Sequence, residues 1–457
     1  MVRLLVFALL LVSGIASLAG AEAQPEHVVM ISVDGFPAYL LWDEKLPIPN
    51  IRKLARQGAW SEGMRVSNPS VTWPNHTTLV TGVRPERHGV LFNGVLVHGP
   101  AGTPVTVDPK RDQRELIRVP TIFDAAHAAG LSTAGINWPC TRNAAALDVN
   151  FSDVPEAGRY ATGELRSQLI ADGVLKSETD PRLVADSASG HDDAWTTMTC
   201  QAIVERKPRL VLLHLLNVDA THHAEGPRSG PGYTALAYAD ACVGRVLAAL
   251  DEAGIRDRTT VFVVADHGFT STPKGLKPNA LLRRNGLLAS GRAGKVESAD
   301  VMVVPEGGIG MLYFTRPHPS AAEQAKVKAI FAGQEGLATI LEPADYARYG
   351  FPQPSDNPQM ADMVLVAKDG YSFSGNSEGD EFVVPGIIAK VPVGNHGFIS
   401  TEPKMNALCV ISGCGIKSGV KLPVIDNTDV APTIAALLNI SLPDVTGHVL
   451  KEALTAN

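Results

Sequence analysis

The sequence predicts a doubly wound α/β fold, in which a mostly parallel sheet carries helices on both faces. Runs of almost purely apolar residues, each ending at a polar or glycine-containing break, are typical of buried parallel strands. Four such runs lie at residues 27–33, 209–216, 260–265 and 407–412. Helix-like segments lie between or after them, at 121–129, 232–252 and 430–438. This alternation of strand and helix indicates the doubly wound class.

The composition is that of an ordinary globular protein. The chain has 457 residues, of which 45% are hydrophobic and 19% are charged, so it can bury a core. Lys and Arg number 40 against 47 Asp and Glu, which gives a formal net charge of −7. We therefore expect no stable complex with nucleic acid, although a small basic pocket for one phosphate group remains compatible with this balance.

The first residues are typical of a secretory signal. Arg3 precedes an apolar stretch at 4–19, and Ala21-Glu22-Ala23 forms a small-x-small cleavage site. An uncleaved anchor is the alternative, but the stretch is short and interrupted by polar residues and glycine. We expect cleavage near Ala23, a periplasmic or secreted protein, and no membrane span after signal removal. Five cysteines without a CxxC pair give no support for a thiolate zinc site.

Two stretches interrupt the strand–helix alternation. Residues 143–195 are polar and mixed without a clear period, and residues 275–390 combine Gly, Pro and charged residues with short strand-like pieces such as 310–314. We therefore expect a catalytic core formed by 24–274 and 391–457, with 275–390 as an inserted subdomain.

Three aspartates lie within a few residues of the ends of predicted strands. Asp34, Asp219 and Asp266 each lie just beyond a strand's carboxyl end, and in an open α/β sheet these ends face one crevice where ligands bind. A single aspartate at a strand end is commonly a helix cap or turn former. Three carboxylates in one crevice would repel each other unless cations neutralised them, so the set together favours a metal site.

Histidines accompany these carboxylates. His223 follows Asp219 by four residues, His267 follows Asp266 directly, and His396 lies in a Gly-Asn-His-Gly segment. Mixed Asp and His ligands suit zinc or a similar divalent transition metal better than calcium.

The candidate nucleophile lies in residues 68–78. Pro69 and Pro74 bracket a turn around Thr72, and a helix that started at Thr72 would favour an anion beside it. A threonine hydroxyl needs a base or a metal to become nucleophilic. The alternative is that Thr72 only caps that helix.

Together these residues resemble those of a known family. The ordered blocks are Asp34-Gly35, Thr72-Trp73-Pro74-Asn75, Thr81-Gly82, residues 85–89, Asn93, Asp219 with His223, Asp266-His267-Gly268 and Asn395-His396-Gly397. The set is similar to that of the alkaline phosphatase superfamily and, within it, the nucleotide pyrophosphatase/phosphodiesterase branch. The blocks span residues 28 to about 400, and the inserted stretches match little.

The resemblance implies two zinc ions about 4 Å apart and a covalent mechanism. One zinc would be held by Asp219, His223 and His396, and the other by Asp34, Asp266, His267 and the Thr72 oxygen. Thr72 would attack phosphorus and form a phosphothreonyl intermediate, which water activated by the first zinc would hydrolyse. Asn93 and the Thr72 backbone N–H would bind a non-bridging phosphate oxygen.

Other candidates fit less well. His222 could replace His223, but the family spacing from Asp219 selects His223. His76 and His88 are interpreted as structural. Asp186-Ser187-Ala188 resembles the nucleophile motif of true alkaline phosphatases, but it precedes a polar stretch rather than following a clear strand. Residues 67–71 lack the final Arg of the sulfatase motif.

The expected substrate is a small phosphate ester or nucleotide, cleaved at a phosphodiester or pyrophosphate bond. Trp73 could stack on a nucleobase or an aryl leaving group, or could simply pack beneath the turn. Phosphonate hydrolysis, as in phosphonoacetate hydrolases, and phosphomonoester hydrolysis are the alternatives on the same site. A non-enzymatic exported metal-binding or adhesive protein fits poorly, because Thr72 and six predicted ligands occur together.

Overall fold

A computed structural model describes residues 24–180 and 182–455. The predicted signal segment, 1–23, and its cleavage site lie outside these residues. Within the two described ranges, no helix is both long and apolar enough to cross a membrane.

The core is an eight-stranded sheet in which most neighbouring strands are parallel, and this confirms the predicted α/β class. From one edge to the other the strands are Val420–Asp426, Ala59–Arg65, Cys409–Gly413, Thr259–Val264, His27–Val33, Leu210–Leu215, Thr133–Trp138 and Val149–Ser152. The central strands His27–Val33, Leu210–Leu215 and Thr259–Val264 are parallel neighbours in which every residue is buried. Successive side chains of a strand point to opposite faces of the sheet, and both faces are buried here. This explains why these strands have continuous apolar sequences.

One predicted strand runs in the opposite direction from the one expected. The run at 407–412 was expected to be parallel, but Cys409–Gly413 is antiparallel to both of its neighbours, Thr259–Val264 and Ala59–Arg65. The chain reaches this strand from His396, which lies at the carboxyl edge of the parallel strands, so the strand must run away from that edge.

The segment 143–195, whose sequence has no clear hydrophobic period, contains regular secondary structure. Within 143–195, Val149–Ser152 forms the edge strand beside Thr133–Trp138, and the helix Ala188–Arg206 begins with Ser187 capping the Gly190 N–H. The polar and apolar residues of this helix give it no clear amphipathic pattern, so periodicity did not reveal it.

Smaller sheets lie mostly in the region between the two parts of the core. A four-stranded antiparallel sheet has the order Val301–Glu306, Ile309–Phe314, Met363–Ala367 and Leu337–Leu341. The other short strands are Val95–Val97, Thr106–Asp108, Thr270–Ser271, Lys274–Leu276, Leu288–Ser290, Val296–Ala299, Tyr371–Phe373, Val383–Pro385 and Gly394–Asn395. The boundaries of an inserted subdomain at 275–390 remain a proposal, and Lys274–Leu276 pairs with strands inside that range.

The helices include the three predicted from sequence, within two residues at each end. The α-helices of the described chain are Pro49–Gln57, Thr72–Thr81, Pro85–His88, Gln113–Leu116, Ile122–Ala128, Gly163–Ala171, Ala188–Arg206, Asn217–Glu225, Gly230–Glu252, Pro278–Arg284, Ala321–Phe331, Pro343–Tyr349, Gly386–Ala389 and Val430–Leu437. Helix Thr72–Thr81 begins at the predicted nucleophile and ends at Gly82, whose φ of +67° suits a left-handed cap.

Candidate active site

The fold brings the three predicted aspartates to one edge of the sheet. Asp34 follows His27–Val33, Asp266 lies two residues after Thr259–Val264, and Asp219 lies in the first turn of helix Asn217–Glu225. The strands that lead to them are adjacent and parallel, so their carboxyl ends open at the same place.

Asp34, Asp266 and His267 form what we call the inner group. His267 Nε2 lies 3.3 Å from Asp34 Oδ1 and 3.1 Å from Asp266 Oδ2. All three side chains are completely buried. One donor atom from each lies within 4.8 Å of the others, so the three atoms could contact a single ion.

Asp219, His223 and His396 form the outer group. Asp219 Oδ1 lies 3.4 Å from His223 Nε2 and 3.6 Å from His396 Nε2. The His396 ring stacks on the His267 ring of the inner group, with centroids 3.7 Å apart and planes 10° apart. Donor atoms of Asp219, His267 and His396 also lie within 4.8 Å of one another, so the two groups are contiguous.

The electrostatics of this cluster fit a cation. Asp34 Oδ1, Asp219 Oδ1, Asp266 Oδ2 and His267 Nε2 are buried atoms that have no hydrogen-bond partner among the described residues. Burial and the nearby Asp219 carboxylate raise the pKa of Asp34 well above its usual value, and burial with Asp34 does the same to the pKa of Asp266. Divalent ions would satisfy these atoms and compensate the repulsion, and the Asp/His donor set suits zinc.

Hydrogen bonds outside the cluster orient the donor atoms. His223 Nδ1 lies 3.0 Å from the Gly394 carbonyl oxygen, and His396 Nδ1 lies 3.0 Å from that of Ser70. Because a carbonyl only accepts, each Nδ1 carries the proton and each Nε2 keeps a lone pair for a metal.

The inner group has similar support. The Gly35 N–H donates to Asp266 Oδ1 at 3.1 Å, and His214 Nε2 lies 3.0 Å from Asp34 Oδ2. Sequence reasoning did not identify His214. It is a buried histidine within the apolar strand Leu210–Leu215, and its polarity there was the available signal.

Thr72 is the first residue of its helix and is tied to both groups through neighbours. His76 Nδ1 lies 2.9 Å from the Thr72 carbonyl oxygen and 3.6 Å from Asp266 Oδ2 of the inner group. Two residues before Thr72, the Ser70 carbonyl oxygen contacts His396 of the outer group. Thr72 is therefore bracketed by residues that contact the two groups.

Asn93 contacts the same helix end. Its Oδ1 accepts the Trp73 backbone N–H at 2.8 Å. This bond uses the amide oxygen, so the amide nitrogen is the group left to donate to a bound anion.

Trp73 is mainly a packing residue. Its side chain is buried against Val90, Leu116 and Cys140, and its indole N–H donates to Asp153 Oδ2 at 3.0 Å. It also lines a cavity of about 520 Å³, whose wall includes Phe151 and Trp195. A role for Trp73 in substrate binding stays a prediction.

The candidates that fitted less well lie outside the two donor groups. His222 Nδ1 contacts the Gly35 carbonyl oxygen at 3.2 Å, and burial lowers its pKa to about 4. His88 Nε2 hydrogen-bonds with Thr78. Asp186 lines the cavity beside Trp73.

A second residue that sequence reasoning missed is Asp192. Its carboxylate accepts the backbone N–H of Leu216 at 2.8 Å and that of Asn217 at 3.2 Å. It thereby fixes the start of the helix that carries Asp219 and His223.

Comparison with known proteins identifies relatives that match most of this chain. Human ectonucleotide pyrophosphatase/phosphodiesterase family member 1 is 22% identical over 435 residues, which cover 93% of this chain and 41% of the relative. Mouse family member 7 is 22% identical over 436 residues, covering 93% of this chain and 86% of the relative. This chain thus spans less than half the length of the human relative.

The fold is also that of solved relatives. The structure of inactive murine ectonucleotide pyrophosphatase/phosphodiesterase 5 in complex with AMP has a TM-score of 0.67 and 18% identity, covering 94% of this chain and all of that one. The sequence profile described as type I phosphodiesterase / nucleotide pyrophosphatase matches residues 28–399. The chain therefore belongs to the type I phosphodiesterase / nucleotide pyrophosphatase family.

Proposed function

We propose that this protein is a metal-dependent hydrolase of phosphodiester or pyrophosphate bonds in nucleotide-type substrates, acting through a phosphothreonyl intermediate. The observation that carries the proposal is the pair of adjacent donor groups, which contact His76 and Ser70 on either side of Thr72 at the start of its helix. Family membership supports the same reaction class.

The residues present fit two zinc ions. Asp34, Asp266 and His267, together with the Thr72 hydroxyl, would hold one ion, and Asp219, His223 and His396 would hold the other. When bound, zinc supplies positive charge that stabilises the attacking and leaving oxygens of an in-line displacement. The four buried donor atoms without hydrogen-bond partners support this assignment.

The chain's own groups provide the nucleophile and bind the phosphate. The Thr72 oxygen attacks phosphorus, its proton passes to solvent, and the bond from phosphorus to the leaving oxygen breaks. Water then cleaves the phosphothreonyl ester and regenerates the hydroxyl. The Thr72 backbone N–H, at the start of helix Thr72–Thr81, and the Asn93 amide nitrogen donate to the phosphate oxygens, where negative charge accumulates.

The cavity beside Trp73 would receive the organic group of the substrate. Its volume of about 520 Å³ and its aromatic residues Trp73, Phe151 and Trp195 suit a nucleoside or an aryl group. The AMP complex of the murine relative supports a nucleotide as the ligand.

A comparison of two aryl substrates tests the proposal. Zinc-loaded protein is assayed on bis-p-nitrophenyl phosphate and on p-nitrophenyl phosphate under the same conditions. We expect kcat/KM for the diester to exceed that for the monoester by about a hundredfold, or about 2.7 kcal/mol of transition-state discrimination. The opposite ratio would assign a phosphomonoesterase. No turnover of either ester by zinc-loaded protein would overturn the proposal, and turnover of phosphonoacetate would then identify a phosphonate hydrolase.

A further inference from the structure

We propose that this protein has a second, non-catalytic site that binds a phosphate group. The site is a cavity of about 240 Å³ that we call the arginine cavity, and its charged lining consists of Arg65, Arg84 and Arg348. It lies apart from the cavity beside Trp73, with which it shares no lining residue. The inference does not depend on the reaction proposed above.

The charge around this cavity is unbalanced. Asp426 is the acidic partner of two of the arginines, with 3.4 Å from Arg65 Nη1 to Oδ1 and 3.9 Å from Arg84 Nη2 to Oδ2. Arg348 has no carboxylate within 4.0 Å in the part of the chain that the structure describes; its guanidinium lies over the Tyr349 ring. Asp426 itself is not part of the lining. Three guanidinium groups with one carboxylate leave an excess of two positive charges.

This excess matches a phosphate dianion better than a singly charged carboxylate. Guanidinium groups present paired N–H donors that fit phosphate oxygens, and a phosphate monoester carries nearly two negative charges at neutral pH. The lining also includes Ser400 and Thr401, whose hydroxyls can donate further hydrogen bonds. The Arg65 and Arg84 side chains are 49% and 43% exposed, so a ligand can reach them from solvent.

The cavity forms where three segments meet. Arg65 ends the strand Ala59–Arg65, Arg84 precedes helix Pro85–His88, and Arg348 lies in helix Pro343–Tyr349. Asn68, also in the lining, holds the Arg348 helix and the segment at Ser400 together, because its Nδ2 donates to the Tyr349 carbonyl at 3.0 Å and its Oδ1 accepts the Ser400 N–H at 2.7 Å. Arg65 and Arg348 are thus presented on a strand and a helix, and the backbone beside Arg348 is anchored by Asn68.

Binding stoichiometry tests the site. Radiolabelled orthophosphate is equilibrated by dialysis with zinc-loaded wild-type protein and with the Arg84→Gln/Arg348→Gln variant, at constant ionic strength. We expect the variant to bind one phosphate fewer per chain, since the metal centre is unchanged and any phosphate bound there is common to both proteins. Equal stoichiometry in the two proteins would overturn the proposal.

Matched controls exclude a general charge effect. Arg114→Gln/Arg292→Gln removes two exposed arginines elsewhere, and it should bind as many phosphates as the wild type. Should this control lose a phosphate as well, non-specific attraction would explain the binding and the site would be refuted. If the first variant does not fold, Arg348→Gln alone, at an exposed position, should weaken the second site by about tenfold.

Competition identifies the source of the phosphate group. AMP is added to the wild type and to the Arg84→Gln/Arg348→Gln variant at saturating orthophosphate. Displacement of the additional phosphate in the wild type indicates a nucleotide ligand, whereas its retention indicates free orthophosphate. Both results require that the wild type binds the additional phosphate, so both support the site.

Discussion

The inner and outer donor groups contain the same types of ligand but differ in burial. The side chains of Asp34, Asp266 and His267 have no exposed surface, whereas Asp219 is 13%, His396 10% and His223 27% exposed. The inner residues follow adjacent strands at the centre of the sheet. The outer residues lie on helix Asn217–Glu225 and on the segment around Asn395, nearer to solvent.

This difference in burial suits the two groups to different roles: one holds a cation inside the folded core, and the other holds a cation that can exchange with solvent. Burial of the inner carboxylates costs free energy unless a cation neutralises them. Binding of a cation to the inner group should therefore be coupled to the stability of the folded core. A partly exposed group can exchange its cation and admit water. We therefore expect the outer ion to be the more labile one, and the following changes test that expectation.

The largest effect should come from a change that leaves both groups intact. Thr72→Ala removes the proposed nucleophile but no Asp or His donor. We expect diester turnover to fall by about a thousandfold or more, with zinc content still near two per chain by atomic absorption. Near wild-type activity in this variant would show that another group attacks phosphorus.

Timed chelation should resolve the two groups. We expect zinc to leave in two phases in the presence of a chromogenic chelator, with the outer ion released about tenfold faster or more because its ligands are partly exposed. His223→Ala should eliminate the fast phase by emptying the outer site in advance, while the slow phase persists. A single phase in the wild type, or loss of the slow phase in His223→Ala, contradicts the comparison.

The difference in burial between the two groups should also affect the stability of the metal-free protein. Asp34→Asn removes a buried negative charge that repels Asp266 and Asp219, so we expect it to stabilise the metal-free fold by about 1–3 kcal/mol in urea unfolding near pH 8. Asp219→Asn, the matched change in the outer group, should alter stability less because Asp219 is partly exposed. Both variants should bind less zinc. An equal gain from both would show that burial does not distinguish the groups.

The smallest effect concerns the helix that carries the outer ligands. Burial raises the pKa of Asp192 to about 7, so its contribution to stability is fully present below its ordinary value of 3.8 and is lost as the pH rises through about 7. Asp192→Asn cannot titrate. We expect the fall in Tm between pH 5 and pH 8 to be about 2–4 °C smaller in this variant than in the wild type.

Asp193→Asn provides the control for that measurement, because the Asp193 side chain is exposed and pairs with Arg245 at the surface. It should keep the wild-type pH dependence. Identical pH profiles for Asp192→Asn and the wild type would contradict the assigned role of burial.

Much of the candidate site could be predicted from the sequence. The apolar runs before Asp34 and Asp266 located two carboxyl ends of strands, and Asp and His are chemically suited to metals wherever the chain places them. A helix that starts at Thr72 is one of the arrangements that the sequence allows, and the structure has one there. These features depend on residue identity and on short-range periodicity, which a single sequence records.

Residues that support the ligands could not be assigned in this way. His214, Ser70 and Asp192 act through hydrogen bonds to distant parts of the chain, and nothing in their neighbours' sequence specifies those partners. The direction of Cys409–Gly413 was likewise set by where the chain enters the sheet rather than by its apolar sequence.

By itself, the sequence determined the class of fold, the ends of the central strands and the donor atoms available to a metal, because each depends on residues close together in the chain. Only the tertiary structure decided how those donors divide into a buried and a partly exposed group. It also decided that Arg65, Arg84 and Arg348 line one cavity. Burial and charge at these places arise from contacts between segments far apart in sequence, which form only when the chain packs.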